Sequence, residues 1–228
     1  FTVKGKRHTL GAVFAIGHKE PFTLGAPPVA PIAKETRRQG GLLELDKHNW
    51  PWSMMIIPVM DVDLFELTNN HIWRTEFAFT TWYPEYTAAY MNVEKDKNGG
   101  FTERGWIEFG FQNYYTMLNC GFRMRPTAGT AAGVHPVFPG FGRVYVEQPN
   151  GFSRDNWLKQ LDAGRSFVTT GPMLRLTLDG KPMGSTIQSD GSQVHKLRVT
   201  IDGIQELSNV EIIVNGIVTT SVDAQLEK

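Results

Sequence analysis

The sequence predicts an α/β protein in two parts: strand-then-helix units over residues 1–171 and a small antiparallel β-sandwich, cut short, over residues 172–228. Three observations predict this. Short apolar runs ending on polar or histidine-bearing turns alternate with helical stretches that stop at glycine. After Gly171-Pro172 the texture changes to apolar/polar alternation. Asp179-Gly180, Asp190-Gly191 and Asn215-Gly216 separate the alternating runs, and such dipeptides supply the positive φ of tight hairpin turns.

In chain order, residues 9–16 (TLGAVFAI) predict a buried strand ending at Gly17-His18. Pro27, Pro28 and Pro31 then interrupt the chain. Residues 32–39 predict a short helix, with Pro31 suited to its first turn and Gly40-Gly41 as its stop. Residues 42–46 (LLELD) predict a second strand, with Lys47-His48-Asn49 at its C-terminal end. Asn49-Trp50-Pro51-Trp52 reads as a turn, and Ser53 as the cap of a helical segment over 54–57. A third strand over 62–67 (VDLFEL) is closed by Asn69-Asn70-His71.

Residues 73–90 are aromatic-rich without clean periodicity, and Asn98-Gly99-Gly100 reads as a loop. Residues 108–120 predict a helix with Gly121 just past its end. A strand over 122–125 runs into a Thr/Gly/Ala turn that ends on His135, and another strand follows over 143–147. Ser153 to Asn156 forms a cap region for a helix over 157–163, stopped by Gly164. Residues 174–178, 196–201 and 210–214 supply the alternating strands of the second part.

Bulk properties exclude several function classes. Lysine and arginine number 23 against 23 aspartates and glutamates, which gives no electrostatic case for nucleic acid or an anionic membrane. No run approaches the roughly 18 apolar residues of a membrane span, and no signal-peptide pattern is present. These numbers describe an ordinary soluble globular protein, with oligomeric state and compartment open. A first residue of Phe suggests a processed chain or an excerpt. Cys120 is the one cysteine, so an intrachain disulfide and a thiolate zinc cluster are both excluded. Any metal would be held by His, Asp and Glu.

His18, His48 and His71 each follow a predicted strand, and His135 follows a fourth. If those strands run parallel, their C-terminal ends converge on one face, where neutral imidazoles could share a metal. The competing explanation is that histidines simply fall in polar loops. His8 precedes the first strand beside Lys6 and Arg7, and His195 belongs to the second part as a structural residue. Asp46 and Glu66 stand near strand ends as candidate ligands or general bases, or as groups that orient ligands. Glu44 and Asp61 have weaker claims. Ser53 and Ser166 lack a G-x-S-x-G turn, and no glycine-rich phosphate loop is present. Trp50, Trp52, Trp73, Trp82 and Tyr83 suit core or interface packing, with stacking on a sugar or base as the alternative.

The order of these motifs resembles the carbaryl-hydrolase-like branch of the PHP (polymerase and histidinol phosphatase) superfamily of metallohydrolases. The resemblance rests on LLELDKH at 42–48, DLFELTN at 63–69, Gly129-Thr130-Ala131, GRVYV at 142–146 and AGRSFVTTGP at 163–172, the last being the most specific. It implies the C-terminal part of a distorted (β/α)₇ barrel followed by a β-sandwich. It also implies a cluster of divalent zinc, manganese or iron. A metal-activated water would attack a phosphoester, ester or carbamate of a small-molecule substrate.

Position by position, the resemblance makes His48 a metal ligand, His8 or His18 the ligand near the preceding strand, and His135 the histidine of the last motif. Asp46 would support the ligands, and Arg143 or Arg74 would hold an anionic substrate group, with surface salt bridging as the competing use of each. Ala131 stands where the family carries an aspartate, and the family's N-terminal metal-binding strand would precede Phe1. The site expected from this chain is accordingly partial. The competing expectation is a degenerate, non-catalytic domain that binds a partner or a carbohydrate.

Overall fold

The computed structural model describes residues 2–3, 6–7, 11–46, 53–73, 85, 87–133 and 136–224. Strands β1 (Thr2–Val3) and β2 (Lys6–Arg7) pair with each other. The central sheet holds β3 (Val13–Ile16), β4 (Leu42–Leu45), β5 (Leu64–Thr68) and β6 (Arg125–Ala128), side by side in that order. Strands β4, β5 and β6 are parallel. Strand β3 runs against β4, with Val13 opposite Leu45 and Ile16 opposite Leu42.

Period-two alternation decides what the sheet buries. Val13 and Ala15, Leu43 and Leu45, and Phe65 and Leu67 all point to one face. Three helices cover it: α1 (Ala30–Arg38) through Ala33, α2 (Ile56–Met60) through Ile56, Ile57 and Met60, and α4 (Glu103–Asn119) through Tyr114. Phe65 is fully buried and its ring lies 5.0 Å from that of Tyr114. Between α2 and α4 lies the single turn α3 (Asn70–Trp73).

Helix α4 starts five residues before the predicted 108 because Thr102 caps it, its Oγ1 accepting from Gly105 N at 3.0 Å. Its C-terminus closes with Gly121 N donating to Leu118 O and Phe122 N to Met117 O. Those bonds commit Phe122 to the helix end, which is why β6 begins at Arg125 and not at 122. Helix α5 (Arg154–Asp162) is capped by Ser153, whose Oγ accepts from Asn156 N at 3.1 Å. It joins β7 (Arg143–Val146) to β8 (Ser166–Thr169), which pair antiparallel and pack beside β6.

The expected distorted (β/α)₇ barrel is corrected by this topology. A parallel barrel needs every strand flanked by neighbours running the same way. Here β3 is reversed, and β7–β8 forms its own antiparallel pair outside the central sheet. The described residues make a mixed α/β arrangement of several small sheets with no closed barrel. Helices α2 and α3, of 5 and 4 residues, are also too short to serve as barrel crossovers.

Beyond Pro172 the chain is antiparallel. Strand β9 (Met173–Leu178) pairs with β10 (Lys181–Pro182) and β11 (Leu197–Asp202), while β12 (Asn209–Val214) pairs with β13 (Ile217–Asp223). Asp179 and Asn215 take positive φ of 51° and 53°, as the hairpin turns require. The Asn215-Gly216 turn rests on α4, where Asn119 Nδ2 donates to Asn215 O at 2.9 Å. Cys120, exposed, is the next residue along that helix end. His195 is structural here, its ring nitrogens meeting Asp179 Oδ2 at 2.6 Å and Ser189 Oγ at 3.0 Å.

Candidate functional site

The alternation that sends Leu43 and Leu45 into the core sends Glu44 to the opposite face of the sheet. In β5 it separates Glu66 and Thr68 from Phe65 and Leu67 in the same way. Glu44 and Glu66 are nonetheless only 8% and 6% exposed. Thr127 of β6, also buried, stands in register with Glu66, and its hydroxyl reaches across β5 to donate to Glu44 Oε1. Burial pushes the Glu44 carboxyl above its ordinary range; the Thr127 hydroxyl works against this and the charge of Asp46 adds to it.

Two glycines let the backbone press against these groups. Gly129 N donates to Thr68 O at 2.9 Å, and a methyl group on Gly129 would stand 2.5 Å from Glu66 Oε2. A methyl group on Gly142 would stand 2.8 Å from Gly129 O and 2.9 Å from Thr68 Oγ1. Asn69 and Asn70, at the end of β5, are buried. Thr68 Oγ1, Asn70 Nδ2, Arg143 Nε and Ser166 Oγ are buried polar atoms with no hydrogen-bond partner among the described residues. Such atoms are costly unless something else satisfies them. The region thus combines a carboxyl biased toward its protonated form, a second buried carboxyl, and buried polar atoms without a partner among the described residues.

Gly129→Ala is expected to destabilise the protein by about 2 kcal/mol through overpacking against Glu66. The cost should shrink in a Glu66→Ala background, because the clashing group is gone. Urea denaturation of the four proteins of this double-mutant cycle measures it. Strictly additive costs would show that the contact is not responsible.

The structure brings together only part of the set expected from sequence. Asp46 follows β4 directly, its N donating to Ala12 O at 3.0 Å, and it contributes to the field at Glu44. Arg143 opens β7. His18 lies elsewhere. Because β3 is antiparallel, its C-terminal end sits beside the start of β4, at the opposite end of the sheet from Asp46. The His18 ring is exposed, with Nδ1 2.8 Å from Ala15 O and Phe22 beside it. His8, His48 and His135 lie outside the described residues, as do Arg74, Trp50 and Trp52.

The described residues do not by themselves fit a divalent-metal centre. No group of three or more His, Cys, Asp or Glu that could hold an ion comes together among them. Nor is any helix among them long and apolar enough to cross a membrane. Comparison with family models, with curated proteins and with solved structures returned no significant match.

Glu44, given a weaker claim than Asp46 and Glu66 from sequence, is buried on this face, and Thr127, not singled out from sequence, donates to it. A carboxylate in the middle of LLELD was the available signal. A strand whose odd positions are core leucines must place its even positions together on the other face.

Proposed function

We propose that this chain carries hydrolytic chemistry on a phosphoester, ester or carbamate at the C-terminal ends of β4, β5 and β6. The observation that carries the reading is Glu44, buried on the same face of the sheet as a second buried carboxyl, Glu66, and biased by desolvation toward its protonated form. In that state Glu44 would donate a proton to the leaving oxygen, with Glu66 as the base that takes one from the attacking water. Asn70 Nδ2 and Thr68 Oγ1, without a partner among the described residues, would offer hydrogen bonds to the charge that develops on the substrate oxygen. The motif resemblance to the PHP metallohydrolases supports the same class of reaction. That resemblance includes a divalent zinc, manganese or iron requirement, with ligands such as His48 lying outside the described residues.

The test is turnover of a 4-nitrophenyl phosphodiester, 4-nitrophenyl acetate and a 1-naphthyl carbamate by the full chain. Each is assayed with zinc, manganese or iron(II) supplied and again with a chelator. At least one substrate is expected to be hydrolysed, with Glu66→Gln slowing it by about 100-fold. No turnover under any condition, or an unaffected Glu66→Gln variant, would sink the reading.

A further inference from the structure

A cavity of about 490 Å³, whose lining includes neither Glu44 nor Glu66, lies between the β7–β8 pair and the β10-β9-β11 sheet. Its wall on β8 is Phe167, which strand alternation places on the opposite face from buried Ser166. Phe167 is the register partner of Tyr145, and the two rings stack with centroids 5.3 Å apart and planes 13° from parallel. Met173 and Met183 line the same space, and thioether side chains adapt to a flat apolar guest. The volume falls within the range of small-molecule sites, about 300–1,000 Å³.

The charges lining this cavity are selective. Arg165 is anchored at one nitrogen only: Nη1 donates to Pro182 O at 3.1 Å, Met183 O at 2.7 Å and Ser185 Oγ at 2.8 Å. Its Nε and Nη2 have no partner among the described residues, and that edge of a guanidinium matches a carboxylate with two parallel hydrogen bonds. Arg175 is occupied by Asp202 at 2.9 Å, whereas Arg198 carries no ion pair among the described residues. Arg165, Arg175 and Arg198 line the cavity with one carboxylate, Glu147; with Arg175 held by Asp202, one positive charge of the remaining three lining charges is left uncompensated.

From this combination we infer that the cavity is a binding site for a small aromatic carboxylate, the ring against Tyr145 and Phe167 and the carboxylate on Arg165 and Arg198. The site is separate from the proposed hydrolytic centre and does not depend on it. One immobilised guanidinium and a stacked aromatic wall set both ends of the ligand.

Titrating 2-naphthoate into full chain labelled with ¹³C at the methionine methyl groups tests this. Of the eight methionines, those of Met173 and Met183 are expected to shift saturably. The neutral isostere 2-naphthalenemethanol should bind about tenfold more weakly, as expected for loss of a charge-assisted contact. Arg165→Gln should weaken naphthoate by a similar factor. Arg198→Gln removes an exposed side chain without a described partner; it should also weaken binding and serves where Arg165→Gln fails to fold. Equal affinity for the acid and the alcohol overturns the proposal, as does unchanged affinity in Arg198→Gln. Shifts at Met173 and Met183 that follow protein concentration and not naphthoate overturn it too, by marking the cavity as covered by a second copy.

Discussion

Glu44→Gln is expected to reduce hydrolytic turnover by about 10²–10⁴-fold while making the protein more stable near pH 8. The two effects share one cause. Glutamine fills the same space and still accepts from Thr127, but it has no proton to give and no charge to desolvate. Because burial raises the Glu44 carboxyl in the folded state, the folded chain holds more protons than the unfolded chain across a pH window. That window begins at the ordinary carboxylate value and ends at the raised one. Stability therefore falls as pH rises through it, and above it the folded protein carries the full cost of a buried anion. Near pH 4 the glutamine variant should match the wild type; near pH 8 it should need more urea to unfold. A variant less stable than wild type near pH 8 would contradict the desolvation argument, whatever its activity.

Phe65→Ala is expected to cost about 3–5 kcal/mol, the range for deleting a fully buried aromatic ring. Phe65 is 0% exposed and packs on Tyr114, in the core that also holds Leu43, Leu45 and Ile57. For a chain of this size the loss corresponds to a melting point lower by about 10 °C. Scanning calorimetry or thermal circular dichroism reads it directly. Glu66 is the next residue on the same strand, so loosening β5 should also lower any activity. A loss of activity at temperatures where the variant remains folded would show that coupling. A change below about 1 kcal/mol would mean that the core collapses around the vacancy or that the sheet packs differently.

Individual strands and helices were legible in the sequence where local chemistry decides them. LLELD, VDLFEL and the Ser153 cap predicted β4, β5 and α5 to within a few residues, because apolar alternation and a capping hydroxyl act over one or two turns. The direction of β3 was not legible. Nothing in TLGAVFAI distinguishes a strand that joins its neighbour parallel from one that joins it antiparallel. That reversal, together with the separate antiparallel β7–β8 pair, removed the expected barrel, and it sent His18 to the far end of the sheet. The buried partner of Glu44 was equally out of reach, since Thr127 lies 83 residues away in sequence and meets it only through β5. Raised acidity ranges depend on such long-range burial and leave no mark in local spacing.

The end of α4 gives the molecule a built-in reporter. Cys120 is exposed, it is the chain's one thiol, and it adjoins Asn119, which holds the carbonyl of the Asn215-Gly216 turn. A single maleimide dye or nitroxide attached there sits where the β12–β13 hairpin meets the helix. Its fluorescence anisotropy or spin-label line shape would follow that hairpin lifting away and returning, in the unaltered sequence, without introducing or removing any residue.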